Sequence, residues 1–299
     1  MKSDIVKHSG IFTPVLVAGC AIILVSFSIR ASFGVFQIPI AEEFNWARTE
    51  FSLAIAIQNL CWGIGQPIFG ALAEKIGDRR AVLIGSLMYA LGLLLSSMAV
   101  SPITHQFLEV LVGFGIAGTG FGVILAVVAR ASSDKHRAMS LAIVTAAGSG
   151  GQIIGPLLAE WLLIITSWQT VFTIFAAMIL SCLFVLPFMK APLEDKTKNP
   201  SEDLSITVLS ALRDPSFSLL FLGFFSCGYQ LAFITAHFPA LVTQMCSPII
   251  MDSALHNLGV TTTSGLGAVA LSLIGISNLL GTLTAGYLGN IFPKKYILA

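Results

Sequence analysis

Arg30 is the side chain in this sequence whose placement most needs a chemical reason. It stands inside residues 12–38, a run that is otherwise apolar. A guanidinium stays charged at ordinary pH and can grip a carboxylate through two parallel N–H···O bonds. If that run lies in hydrocarbon, a cation near its centre costs about 2.5–3.5 kcal/mol, so it must face water, a ligand or a partner. Two readings are open. Arg30 works on a substrate or on coupling, or it snorkels outward or pairs structurally with an acid such as Glu109 or Glu160.

Other polar side chains lie at similar depth in apolar runs: Gln58 and Asn59, Gln152, Tyr229 and Gln230, and Asn278. They offer donors and acceptors to a solute, or they bond neighbouring helices for about 1–2 kcal/mol or less. Tyr229, Gln230, Gln152, Asn59 and Asn278 join Arg30 as substrate-binding candidates. His237 titrates near neutral pH and is a candidate for proton coupling; with Pro239 two residues on, the alternative is that it faces the exterior. Glu109 and Glu160 fall near the ends of their runs and are expected at the interface. Phe33 and Phe36, aromatics at helical spacing, are expected to pack. Catalytic groupings are missing. There is no GxSxG, HExxH or Walker sequence and no acidic pair within one helix, so enzyme chemistry and a cofactor are not expected. The five cysteines are scattered without CxxC or His/Cys spacing, predicting neither a disulfide framework nor a metal site.

The elements that must position these residues follow from composition. Charged residues are 10% of the 299 positions and AVILMFWYC 56%, with mean hydropathy +0.88; soluble domains carry about 25% charge. A net charge of +1 argues against nucleic acid as a partner. Crossing a bilayer takes about 20 apolar residues in a helix. Stretches of that length are expected at 12–38, 51–73, 81–100, 105–129, 139–163, 170–189, 216–241 and 262–288. The fold class is therefore all-α, a polytopic bundle of about eight membrane helices, because open strands in lipid would leave backbone groups unpaired. The polar segment 190–215 reads as a cytoplasmic linker. It separates a six-helix part, 1–189, from two further helices in 216–299. With the N-terminus in the cytoplasm, every Lys and Arg of the 16 except Arg30 and Arg48 falls on that side, as the positive-inside rule requires. The expected location is a cell (plasma or inner) membrane. Met1–Gly10 reads as the lead into a retained first helix rather than a cleaved signal.

The turn after the second stretch carries Gly70-Ala71-Leu72-Ala73-Glu74-Lys75-Ile76-Gly77-Asp78-Arg79-Arg80. It resembles the loop signature between the second and third helices of the major facilitator superfamily, with Glu74 at the acidic position, Lys75 and Arg79 at basic ones and Gly77 at the turn. A degenerate copy follows the eighth stretch, Gly286-Tyr287-Leu288-Gly289-Asn290-Ile291-Phe292-Pro293-Lys294-Lys295, with Asn290 in place of the acid. Two copies at matching places are what duplicated six-helix halves show. Gly151-Gln152-Ile153-Ile154-Gly155-Pro156 is similar to a fifth-helix element of the family, although Ala159-Glu160 replaces its usual Gly-Gly continuation. Arg30-Ala31-Ser32-Phe33-Gly34-Val35-Phe36 and Gly228-Tyr229-Gln230-Leu231-Ala232-Phe233-Ile234 look like the branch of monocarboxylate and oxalate/formate carriers. The uncharged eighth helix departs from that branch, whose characterised members place a cation there.

The resemblance implies alternating-access transport of a small solute, expected to be a small organic anion such as a monocarboxylate. Transport would run by symport or antiport, with a proton as possible co-ion and no nucleotide. Glu74, Lys75, Gly77, Arg79 and Arg80 take a coupling or gating role in that picture. It also implies twelve helices, of which eight are present, so the chain is expected to be C-terminally truncated. The alternative function is a non-transporting membrane remnant or partner subunit.

Overall fold

The computed structural model describes residues 11–190, 204–250, 254–257, 260–289 and 291–292. Eight long helical units run through them: α1 (Pro14–Phe44), α2 (Arg48–Ile76), α3 (Asp78–Ser96), α4 (Pro102–Ala131), α5 (Arg137–Ile165), α6 (Trp168–Phe188), α7 (Pro215–Met245) and α8 (Thr263–Leu288). Each expected apolar stretch falls on one of them. Short helices at Leu204–Arg213 and Ala254–Asn257 complete the set, and no strand occurs among the described residues. Part of the expected linker, 191–203, lies outside the described residues. So do Lys2, Lys7, Lys196, Lys198, Asn290, Lys294 and Lys295, on which the charge sorting and the second loop copy partly rest.

Helix starts are written in capping chemistry. Thr13, Ser101, Ser167, Asp214 and Thr262 each accept a bond from a backbone N–H of the following first turn, at Leu16, Thr104, Thr170, Ser216 and Gly265. Pro14, Pro102 and Pro215 occupy the first helical position, where a missing N–H costs nothing. α1 runs on to Phe44, beyond the expected end at 38, because Glu42 and Glu43 sit on a helix continuing past the apolar zone. It tightens to a 3-10 turn over Phe33–Phe36. Pro39 explains that turn, since it supplies no N–H to the carbonyl four residues back. The α2–α3 turn is carried by Gly77 at φ 94, a left-handed conformation that a side chain strains.

Seven of the units are long and apolar enough to cross a membrane. α2, with 29 residues, has the length but is diluted by Gln58, Asn59 and Gln66. Its outer stripe of Leu60, Ile64 and Ile68 is exposed at helical spacing, as a lipid-facing surface is. The protein is a multi-pass membrane protein. α5 is the hub, packing on α1 and α8, while α2 and α3 pack on α4, and α3 on α6. Small residues set the closest approaches, which is how bundles cohere without a hydrophobic drive between helices. A Cβ on Gly155 of α5 would stand 2.0 Å from the Ser28 carbonyl oxygen of α1, and one on Gly85 of α3 would stand 2.6 Å from Gly118 Cα of α4.

Candidate functional site

Arg30 lies in the last turn of the Pro14–Ser32 helix and is 7% exposed. Its Nη2 donates to Asn59 Oδ1 at 3.1 Å, and its Cζ stands 4.5 Å from the centre of the Trp62 ring. A guanidinium over an indole face is a favourable cation–π contact. Asn59 is itself oriented, donating from Nδ2 to the Ile55 carbonyl. Arg30 Nε has no partner among the described residues. The snorkelling and acid-pairing readings of Arg30 are thereby set aside. Glu109 is held by Gln58, Glu160 by Thr262 and Ser264, and among the described residues Arg30 forms no ion pair.

A small cleft opens on this cation, lined by Arg30, Phe33 and Gly34 of α1, Ile55, Gln58 and Asn59 of α2, and Thr235 and Ala236 of α7. It thus sits where the six-helix part meets α7. The enclosed volume is about 10 Å³, on the order of one water molecule. One cation, two amides, a hydroxyl and an apolar wall can together receive an anionic group. Trp62, Thr235 and Ala236 are the contributors that sequence reasoning missed. Trp62 had a signal, lying three residues after Asn59 on the same helical face.

The remaining candidates divide. Gln152, buried, accepts from Asn278 Nδ2 at 3.2 Å, so α5 and α8 bring these two together, and neither lines the Arg30 pocket. Tyr229 is 67% exposed and Gln230 is exposed as well, in the part of α7, residues 219–230, where every residue is exposed. His237 follows the pocket residue Ala236, is half-buried and stacks against Phe233. Phe33 and Phe36 pack on Phe172, as expected.

The two acids expected near helix ends are both buried by neighbouring helices. Glu109, two turns into α4 from Pro102, is 0% exposed and faces Gln58. Glu160 is 9% exposed and accepts from the hydroxyls of Thr262 and Ser264 at the start of α8. Bonds to a carboxylate are worth about 1.5–3 kcal/mol each when well formed. Glu160→Ala is therefore expected to loosen the start of α8, speeding amide hydrogen exchange over 260–265 by about tenfold or more, while exchange in α2 stays unchanged.

In the α2–α3 turn, Glu74, Lys75 and Arg80 are exposed, and Glu74 makes no hydrogen bond or ion pair among the described residues. The engaged carboxylate is Asp78, bonded to Arg130 Nη2 of α4 at 2.6 Å. Arg79 ties the turn to the end of α6 through the carbonyls of Pro187 and Met189. The Arg130 side chain is 26% exposed and that of Asp78 7%, so solvent screens the pair and its loss costs about 1–3 kcal/mol. Asp78→Ala should lower the melting temperature in detergent. Adding Arg130→Ala should lower it little further, and strictly additive losses would show that the pair does not couple.

The profile of the Major Facilitator Superfamily matches residues 18–299. Monocarboxylate transporter 13 of Rattus norvegicus is 30% identical over 275 residues, covering 89% of this chain and 58% of that protein. The uncharacterized MFS-type transporter YcxA of Bacillus subtilis (strain 168) is 25% identical, covering 91% of this chain and 63% of that one. Among solved structures, a D-xylose-proton symporter superposes with a TM-score of 0.60 at 13% identity, over 93% of this chain and 69% of that one. The chain spans about three-fifths of the length of the curated relatives it matches.

Proposed function

Because this chain belongs to the Major Facilitator Superfamily, we propose that it serves a secondary transporter that moves a small organic anion of the monocarboxylate kind by alternating access. The observation that carries the anion is Arg30. It is a permanently charged group, buried in a membrane helix, stacked on Trp62, with only one hydrogen bond spent on Asn59 and the rest of its fork at a small pocket. A carboxylate entering there replaces lost hydration with charge-assisted bonds, and Asn59 and Gln58 stand on the same wall to orient it. That a relative 30% identical bears the name monocarboxylate transporter supports the same solute class.

Alternating access in such folds comes from rocking one half against the other around a central site. The halves would be 1–189 and the part beginning at 216, meeting at Gly34 and Thr235. His237, one residue beyond the pocket, and the charged turn Glu74–Arg80 are the proposed coupling and gating elements. The Gln152–Asn278 bond holds α8 to the hub. Placement in a cell membrane with a cytoplasmic N-terminus rests on the sorting of Lys and Arg.

Lipid vesicles holding the chain should take up labelled lactate, oxalate or formate saturably and exchange it for unlabelled solute inside. Inserted protein that moves none of the three would remove the anion reading.

A further inference from the structure

Beside the Arg30 pocket lies a polar cluster that anion binding does not use. Glu109 of α4 is 0% exposed, and His105, one turn earlier, is 1% exposed. Gln58 donates from Nε2 to Glu109 Oε2 at 2.7 Å. The other carboxyl oxygen, Oε1, has no partner, nor has His105 Nε2, which stands 3.8 Å away from it. An ionised carboxylate with an unsatisfied buried oxygen and no cation in contact is a costly arrangement. A proton on Oε1 removes the cost. It makes that oxygen a donor 3.8 Å from an imidazole nitrogen that has no partner among the described residues.

The cluster is joined to the pocket through α2. Gln58, which holds Glu109, also lines the pocket, and Asn59, the next residue, accepts from Arg30. The other groups around Glu109 are few. His105 is on its own helix, between the rings of Trp46 and Phe51. Tyr89 of α3 is fully buried and within electrostatic reach of both Glu109 and Arg30. Arg30 is the cation of α1, and Glu50 of α2 is occupied by Gln106.

Resting on the anion-carrier reading, we propose that Glu109 is the proton-binding residue coupled to the Arg30 pocket. One proton adds to the Glu109 carboxylate, forming an O–H bond at Oε1, and returns to water when that bond breaks; nothing is oxidised or reduced. Two carboxylates on either side of Gln58 repel in a low-dielectric interior. Protonating Glu109 therefore favours a carboxylate at Arg30, and by linkage the bound carboxylate favours the proton to the same degree. Proton and anion then move in the same direction.

Infrared difference spectra of the reconstituted chain, acidified with no solute present, should show a protonated-carboxyl band. That band should be absent in Glu109→Gln and restored in Glu109→Asp. No such band in the native protein, or one of undiminished size in Glu109→Gln, overturns the proposal. If the Gln variant fails to fold, Gln58→Leu decides, since removing the amide donor must shift the band, and an unmoved band overturns the link to the pocket. In vesicles, Glu109→Gln should lower proton-driven lactate accumulation by about tenfold or more and leave lactate exchange within about twofold; equal loss of both overturns the coupling. If the native chain moves no lactate, or Arg30→Ala exchanges it normally, the anion reading fails while the infrared result still locates the proton.

Discussion

Replacing Arg30 by Ala is expected to cut exchange of small carboxylates by about 100-fold or more while leaving the protein as stable as before. The size follows from the bonds lost. Each hydrogen bond to a charged group is worth about 1.5–3 kcal/mol, a carboxylate takes two from a guanidinium fork, and every 1.4 kcal/mol is about tenfold in affinity. The stability half separates a binding role from a structural one. Arg30 makes one side-chain hydrogen bond, to Asn59, and two ring contacts, to Trp62 and, further off, Phe27, while a buried cation in a membrane helix carries a standing cost of about 2.5–3.5 kcal/mol. Deleting it relieves that cost, so the melting temperature should hold or rise as exchange disappears. A fall in both together would make Arg30 a structural residue. Arg30→Lys keeps the charge but loses the planar fork and its stacking on Trp62, and should retain a small part of the exchange.

The second large effect is expected at Gly34. A Cβ there would stand 2.1 Å from the Thr235 carbonyl oxygen and 3.1 Å from that of Ala236. The obstruction is backbone, so no side-chain rotation relieves it and α1 and α7 must separate. Gly34→Leu should therefore disfavour the arrangement in which they touch, by the roughly 1–3 kcal/mol of a forced overpacking. A cysteine placed at Thr235, buried at 6% exposure, should then react with a water-soluble thiol reagent about tenfold faster or more. Solute exchange should fall, because a carrier must revisit its closed form in every cycle. Gly63→Leu on α2 is the control, with nothing within 4 Å of its Cβ position. Unchanged labelling at position 235 in Gly34→Leu would mean that this contact does not hold the two parts closed.

These two residues sit in the same short stretch, Arg30 to Phe36, and its meaning was only half legible in the amino-acid order. That a charge interrupts an apolar run is visible from composition alone. That the stretch meets α7 through a glycine depends on the packed bundle.

Which segments enter the membrane is a local property, and the chain declares it. A run of about 20 apolar residues partitions into hydrocarbon whatever its neighbours do. The ends of these runs are marked by Thr13, Ser101, Ser167, Asp214 and Thr262, whose side chains satisfy the first-turn N–H groups. Even α2 was recognisable, because the polar residues in its middle, Gln58, Asn59 and Gln66, are amides and its charges lie at its ends. The direction in which each helix faces is a different matter. Successive residues turn by about 100°, so a small rotation about the axis exchanges an inward side chain for an outward one, and interhelical contacts set that rotation. Packing therefore put Glu109 beside Gln58 and chose Asp78 rather than Glu74 to meet Arg130. It also left Tyr229 and Gln230 exposed and stacked Trp62 on Arg30. No reading of spacing along one helix could supply those outcomes, because each depends on a surface contributed by another.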